Sequence, residues 1–165
     1  MKYFFTATLL LFVTVSSFAL EPQVGDSATY KTTYAEGNAT NSSIWQKTIL
    51  EFKEESQWQY WAKVRWESDS PFGSTQEEWV AFAILFYIDS TEGFCEKMQD
   101  VSKDAQLEQI SVPAGTFMSC KVLATHGGEQ TWYSKDVPFG VLKRVLNFGD
   151  GSRSEDILTG FNISQ

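Results

Sequence analysis

Residues 57–67 read Gln-Trp-Gln-Tyr-Trp-Ala-Lys-Val-Arg-Trp-Glu, and this stretch limits the chain's options more than any other. Trp58, Tyr60, Ala62, Val64 and Trp66 fall on one side of an extended chain. Gln57, Gln59, Lys63, Arg65 and Glu67 fall on the other, and only Trp61 breaks the pattern. Side chains of a strand alternate between faces with period two, whereas a helix would scatter these residues around its surface. The segment is therefore expected to be a strand with one face in a core and one in solvent.

The rest of the chain carries the same rhythm between turn signals. Residues 28–34 and 44–52 have strand character, separated by a polar, Asn/Gly/Ser-rich stretch over 36–43 that reads as a loop. Lys53-Glu54-Glu55-Ser56 reads as a short polar turn, and Asp69, Pro71 and Gly73 mark another. Residues 75–81 resume a strand that runs into Trp79-Val80-Ala81-Phe82-Ala83-Ile84-Leu85-Phe86-Tyr87-Ile88, ten apolar residues without a break. That run is too short to cross a bilayer and reads as a buried or covering element. Asp89 or Ser90 then caps a short helix over 91–99.

Strands are expected at 106–112, 116–125, 129–135, 141–148 and 154–161. In the second of these, Met118, Cys120, Val122 and Ala124 share a face and Phe117 and Leu123 oppose them. Pro113-Ala114-Gly115, Gly127-Gly128, Val137-Pro138-Phe139-Gly140 and Asp150-Gly151 supply the corners between them. Short turns without an alternating helix pattern predict a mainly β fold. It is an antiparallel meander forming a curved open sheet or half-barrel of about eight or nine strands, with one short helix or lid.

The first nineteen residues are set apart from this pattern. Lys2 precedes a mostly apolar run over 3–15, and Ser17-Phe18-Ala19 puts small residues where a signal peptidase reads them. Cleavage after Ala19 is expected to leave 20–165 as a single β domain, exported to the periplasm or secreted, without a transmembrane anchor. The exported chain would carry 12 Lys and Arg against 21 Asp and Glu, since Lys2 leaves with the leader. Such an acidic balance argues against nucleic acid and anionic membranes as partners, because both attract clustered Lys and Arg. An oxidising compartment also makes a disulfide between Cys95 and Cys120 the expected state of the only two cysteines.

Two stretches resemble a known pattern. Val112-Pro113-Ala114-Gly115-Thr116-Phe117-x-x-Cys120 and Trp132-Tyr133-Ser134-x-x-Val137-Pro138-x-Gly140 resemble an uncharacterised family of exported bacterial proteins. The resemblance covers about thirty residues and implies a sheet like the curved half-barrel of LolA/LolB-type lipoprotein carriers. It implies no activity. Pro113, Gly115, Pro138 and Gly140 are read as turn residues that set strand register, Pro by presetting φ and Gly by admitting positive φ.

Chemistry is otherwise hard to find. There is no phosphate loop, nucleophile elbow or zinc-protease helix, and the single imidazole, His126, sits in a Thr-His-Gly-Gly turn without obvious partners. Asp150-x-Ser152-x-Ser154-x-Asp156 has Glu155 where a calcium loop needs Gly and Phe161 where it needs a bidentate Glu. No catalytic residue, metal site or cofactor is assigned. What does stand out is aromatic content, with six Trp, six Tyr and thirteen Phe. Trp58, Tyr60, Trp66, Trp79, Phe82 and Phe86 are the candidates to line an apolar cavity on the sheet's concave face. The expected function is binding of a lipid or other apolar molecule; the alternative is an envelope interaction module with a filled core and a protein partner.

Overall fold

The computed structural model describes residues 22–56, 59–69, 73–81, 90–102, 104–124 and 128–164. In chain order they form β1 (Ser27–Glu36), β2 (Ala39–Ser56), β3 (Gln59–Ser68), β4 (Gln76–Ala81), α1 (Thr91–Val101), β5 (Gln106–Val112), β6 (Gly115–Leu123), β7 (Glu129–Tyr133), β8 (Val141–Asn147) and β9 (Arg153–Asn162). All nine strands belong to one open antiparallel sheet in the order β4-β3-β2-β1-β9-β8-β7-β6-β5. It consists of two meanders, β1–β4 and β5–β9, joined where β1 pairs with β9. The edges are β4 and β5.

The seam between the meanders is pinned at its end by one carboxylate. Asp26 is fully buried and accepts hydrogen bonds from the Gln23 and Ser164 N–H groups, both at 2.8 Å. A buried carboxylate is tolerated when backbone donors replace its water. Here those donors come from both ends of the described chain.

The sheet is bent. In a flat sheet β5 and β9 would lie about 19 Å apart, four strand spacings. Instead the Ala114 N–H of the β5–β6 turn meets the Leu158 carbonyl of β9 at 3.4 Å, and Phe117 packs on Phe161 with ring centroids 6.1 Å apart. Register shifts at Thr29/Tyr30, Ile49/Glu51, Glu54/Ser56 and Trp132/Tyr133 supply local bends, since a bulge adds twist to the strand that carries it. The core follows this curvature. Ala28, Leu142, Leu158 and Val137 are fully buried in the main cluster, and Ile49, Ala62 and Val64 form another.

The alternation of 57–67 holds wherever it is described: Ala62 and Val64 are buried, while Lys63 and Arg65 pair with Glu77 on the opposite face, each at 2.9 Å. Three boundaries differ from the sequence reading. Residues 36–43 are not a loop, because β1 runs to Glu36 and β2 starts at Ala39, with Gly37 turning at φ 56°. Asn41, Ser42 and Ser43 have weak strand preference, but their backbone pairs with Tyr34, Thr33 and Thr32, and the ladder decides. Similarly, 53–56 continues β2, extended by pairing with β3. At the other end β7 stops at Tyr133, because residues 134–140 form a separate loop closed by Ser134 N–H to the Gly140 carbonyl at 2.8 Å.

Helix α1 begins where its cap requires. Ser90 Oγ accepts from Gly93 N–H at 3.0 Å, satisfying one of the donors that a helix start leaves unpaired. Cys95 and Cys120 form a disulfide that joins α1 to β6 with their Cα atoms 5.2 Å apart. Phe94 packs edge-on against Tyr133, and Thr91 Oγ1 accepts from Lys135 N–H at 3.1 Å. These contacts tie α1 to β6, β7 and the 134–140 loop. No helix among the described residues is long and apolar enough to cross a membrane.

Candidate functional site

Cross-strand register assembles a cluster of aromatic rings around one ammonium. Tyr30 on β1 is paired with Trp45 on β2, and Lys47 on β2 is paired with Trp66 on β3. Paired residues share a face, so Tyr30, Trp45, Lys47 and Trp66 project to the same side. Trp45 and Trp66 are diagonal neighbours, within reach of each other for side chains of this size. Their rings stack at 5.1 Å with 11° between planes, and Tyr30 stacks on the other side of Trp45 at 4.9 Å and 23°.

Lys47 Nζ lies 4.2 Å from the Trp66 ring centre, 5.0 Å from Trp45 and 5.6 Å from both Tyr30 and Phe139. Ring faces carry the negative end of the aromatic quadrupole, so four of them around an ammonium stabilise it electrostatically. Phe139 reaches this position from the 134–140 loop, where it adopts φ 64°. A non-glycine residue in that region costs on the order of 1 kcal/mol. Packing against the cluster of Ile49, Ala62 and Val64 holds it there.

A polar relay backs the cluster. Trp45 Nε1 donates to Thr32 Oγ1, and Thr32 Oγ1 donates to Asp156 Oδ1 at 2.6 Å. The Tyr30 hydroxyl donates to the Val141 carbonyl at 3.0 Å. Burial pushes the Lys47 ammonium down to about 8, with Asp156 pulling the other way. Burial, seconded by Asp156, pushes the Tyr30 hydroxyl well above its ordinary value of 10.0.

The two shifts act on stability in opposite senses. Lys47 is lowered, so the unfolded chain binds more protons between pH 8 and 10, and stability rises with pH across that window. Tyr30 is raised, so its contribution is complete below pH 10 and declines above it as the unfolded chain ionises. Urea midpoints measured from pH 7 to 11 should climb to a maximum near pH 10 and then fall. In Lys47→Met the climb should disappear while the fall persists.

Beside the stack is an open cleft of about 290 Å³ lined by Trp45, Trp66, Glu67, Ser68, Ser74 and Gln76. Next to the lining residues Trp45 and Ser68, Asp69 Oδ1 accepts from Ile44 N–H at 2.7 Å, and Asp69 N–H donates to the Ile44 carbonyl at 2.9 Å. The indole N–H of Trp66 is buried and has no hydrogen-bond partner among the described residues.

Of the candidates named from sequence, Trp66 is in the cluster. Trp79 lies on β4 opposite Lys63, on the other face of the sheet, and is 41 % exposed. Trp58, Phe82 and Phe86 lie outside the described residues, and Tyr60 is placed in β3 by its backbone with its side chain outside the description. Pro113 and Ala114 form the two-residue β5–β6 turn, Gly115 opens β6 opposite Val112 at φ 147°, and Gly140 takes φ 67° as its turn requires. Sequence reasoning missed Tyr30, Trp45, Lys47 and Phe139. The local signal was there for three of them, in Tyr30 on an alternating strand and Trp45-x-Lys47 on the next, but only register brings them to Trp66.

No protein-family model matches the chain, and no curated protein matches it in sequence. A solved Bacteroides fragilis protein with a YmcC-like fold superposes with a TM-score of 0.54 at 12 % identity, covering 88 % of this chain and 99 % of that one. This chain is similar to it in fold. Weaker likenesses include a chain of the Pseudomonas aeruginosa MucA/MucB complex structure (TM-score 0.45, 12 % identity, 83 % of this chain). A LolA superfamily protein from Nitrosomonas europaea also matches (TM-score 0.27, 8 % identity, 89 % of each chain). The match spans about half of that chain of the MucA/MucB complex, 51 %. Likenesses this weak add nothing to the fold assignment.

Proposed function

We propose that this chain is an exported binding module that takes a small apolar molecule into the cleft beside the Trp45–Trp66 stack. The observation that carries this reading is the cleft itself, an opening of about 290 Å³ walled by two indoles and rimmed by Glu67, Ser68, Ser74 and Gln76. Ligand pockets combine an apolar, aromatic wall with a few polar groups, and their volumes start near 300 Å³. A cleft at the lower end of that range suits one acyl chain or one ring system, not a whole diacyl lipid. Export rests on the leader pattern of residues 1–19.

The test is native mass spectrometry and solvent extraction of protein recovered from the exported fraction, followed by titration with decanol while indole fluorescence is monitored. A bound apolar molecule, or saturable quenching by decanol, is expected. A ligand-free protein whose indole emission ignores decanol would overturn the reading.

A second reading, a module that binds a protein, rests on the β5 edge. There Leu107 on β5 and Met118 on the neighbouring β6 are 44 % and 38 % exposed, next to the free side of the edge strand. Open edges recruit extended peptides. Crosslinking in the exported fraction should place a partner at Leu107 or Met118 if this reading is correct.

A further inference from the structure

The half-buried ammonium of Lys47 has an unusual set of neighbours. Its close partners are ring faces, and among the described residues no carboxylate lies within 4.0 Å of Nζ and no hydrogen bond from it is found. An ammonium carries three N–H donors, and ring faces replace only part of the hydration that those donors lose. Asp156 and Glu78 act on it only from farther away, and Arg144 acts against it. Two other lysine ammoniums do have carboxylate partners, Lys63 meeting Glu77 at 2.9 Å and Lys143 meeting Glu155 at 3.5 Å. Among the described residues, then, Lys47 has no protein acceptor for its ammonium, which lies over the ring of Trp66 that also walls the cleft.

We infer that the molecule held in the cleft is an amphiphile with a single anionic head, carboxylate or phosphate, which pairs with Lys47 while its apolar part lies along Trp45 and Trp66. This rests on the binding reading above and adds the chemistry of the head group. Glu67 on the rim favours the same orientation, because it repels an anion from the mouth and leaves Lys47 as the attractive charge. The shared feature of carboxylate and phosphate is a set of charged oxygen acceptors matching the unpaired ammonium donors. Such charge-assisted hydrogen bonds are about twice as strong as neutral ones.

The experiment titrates the full exported chain with decanoate, decyl phosphate, decanol and decyltrimethylammonium, reading indole fluorescence at pH 7. Decanoate or decyl phosphate should bind at least about tenfold more tightly than decanol, the margin expected of one charge-assisted pair. Whichever of the two binds tighter identifies the head. Lys47→Met should abolish the preference for the anions over decanol, and Lys47→Arg should retain most of it. Circular dichroism verifies that each variant is folded.

Decanol binding as tightly as both anions to the wild type would overturn the inference and leave the binding reading standing. A preference for decyltrimethylammonium would overturn it in favour of a cation-accepting aromatic cage. If none of the four binds, both fall. The wild-type comparison decides the question even if Lys47→Met fails to fold.

Discussion

Cys95→Ala combined with Cys120→Ala is expected to cost ~3 kcal/mol of stability, which for a chain of this size lowers the melting temperature by roughly 10 °C. The bridge closes a loop between positions 25 apart. In the chain-entropy account, opening it restores the conformations that the closed loop denies to the unfolded chain. The native side loses less, because α1 keeps its other anchors. Phe94 still meets Tyr133, Ser102 Oγ still donates to the Leu123 carbonyl at 3.3 Å, and Thr91 still accepts from Lys135 N–H. Thermal unfolding of the double variant should match that of reduced wild type. A loss under about 1 kcal/mol would mean that packing alone fixes α1 and that the unfolded chain is already compact around this loop.

Trp66→Ala should be costly in two independent ways. Truncating a packed Trp to Ala removes about 3 kcal/mol through lost transfer energy and the space left behind. Here it also takes away the stacking partner of Trp45 and the ring nearest Lys47. The second cost is in binding. Trp66 walls the cleft and faces Lys47, so loss of affinity for an apolar ligand by at least about tenfold is expected. Trp66→Phe separates the two effects, because a phenyl ring keeps much of the contact area but removes the indole N–H. That N–H has no partner among the described residues, so its removal should not itself destabilise the fold. Urea unfolding and decanol titration on the two variants check both expectations. An unchanged decanol affinity in folded Trp66→Ala would place the binding site elsewhere.

Much of the architecture is legible in the chain because its signals are local. Period-two alternation in 57–67 marks β3 and its buried face, and the same logic places Phe117 and Cys120 on opposite sides of β6. Turn chemistry does the rest. Pro113 opens a two-residue corner that Gly115 closes opposite Val112, and Ser90 caps α1. Asp150-Gly151 turns β8 into β9, with Asp150 Oδ1 accepting from Ser152 N–H at 2.9 Å and from its hydroxyl at 2.7 Å. That Asx turn gives a structural role to a segment whose spacing superficially suggested calcium.

Where local signals misled, pairing overrode them. The polar residues 39–43 look like a loop on composition, and they are strand because β1 offers them a complete ladder. Phe139 is the reverse case. Its neighbours Pro138 and Gly140 announce a turn, but nothing in the sequence puts a bulky aromatic at positive φ or aims it across the sheet at Lys47.

By itself, then, the sequence determined that this chain alternates, where it turns, where its helix starts and which two sulfurs are available to each other. The tertiary structure alone decided that Tyr30 stands opposite Trp45, that Lys47 stands opposite Trp66, and that β1 closes against β9. The reason is physical. Which face a side chain takes depends on the residue beside it, whereas which residue it meets depends on register, set by bulges and contacts between segments more than a hundred positions apart.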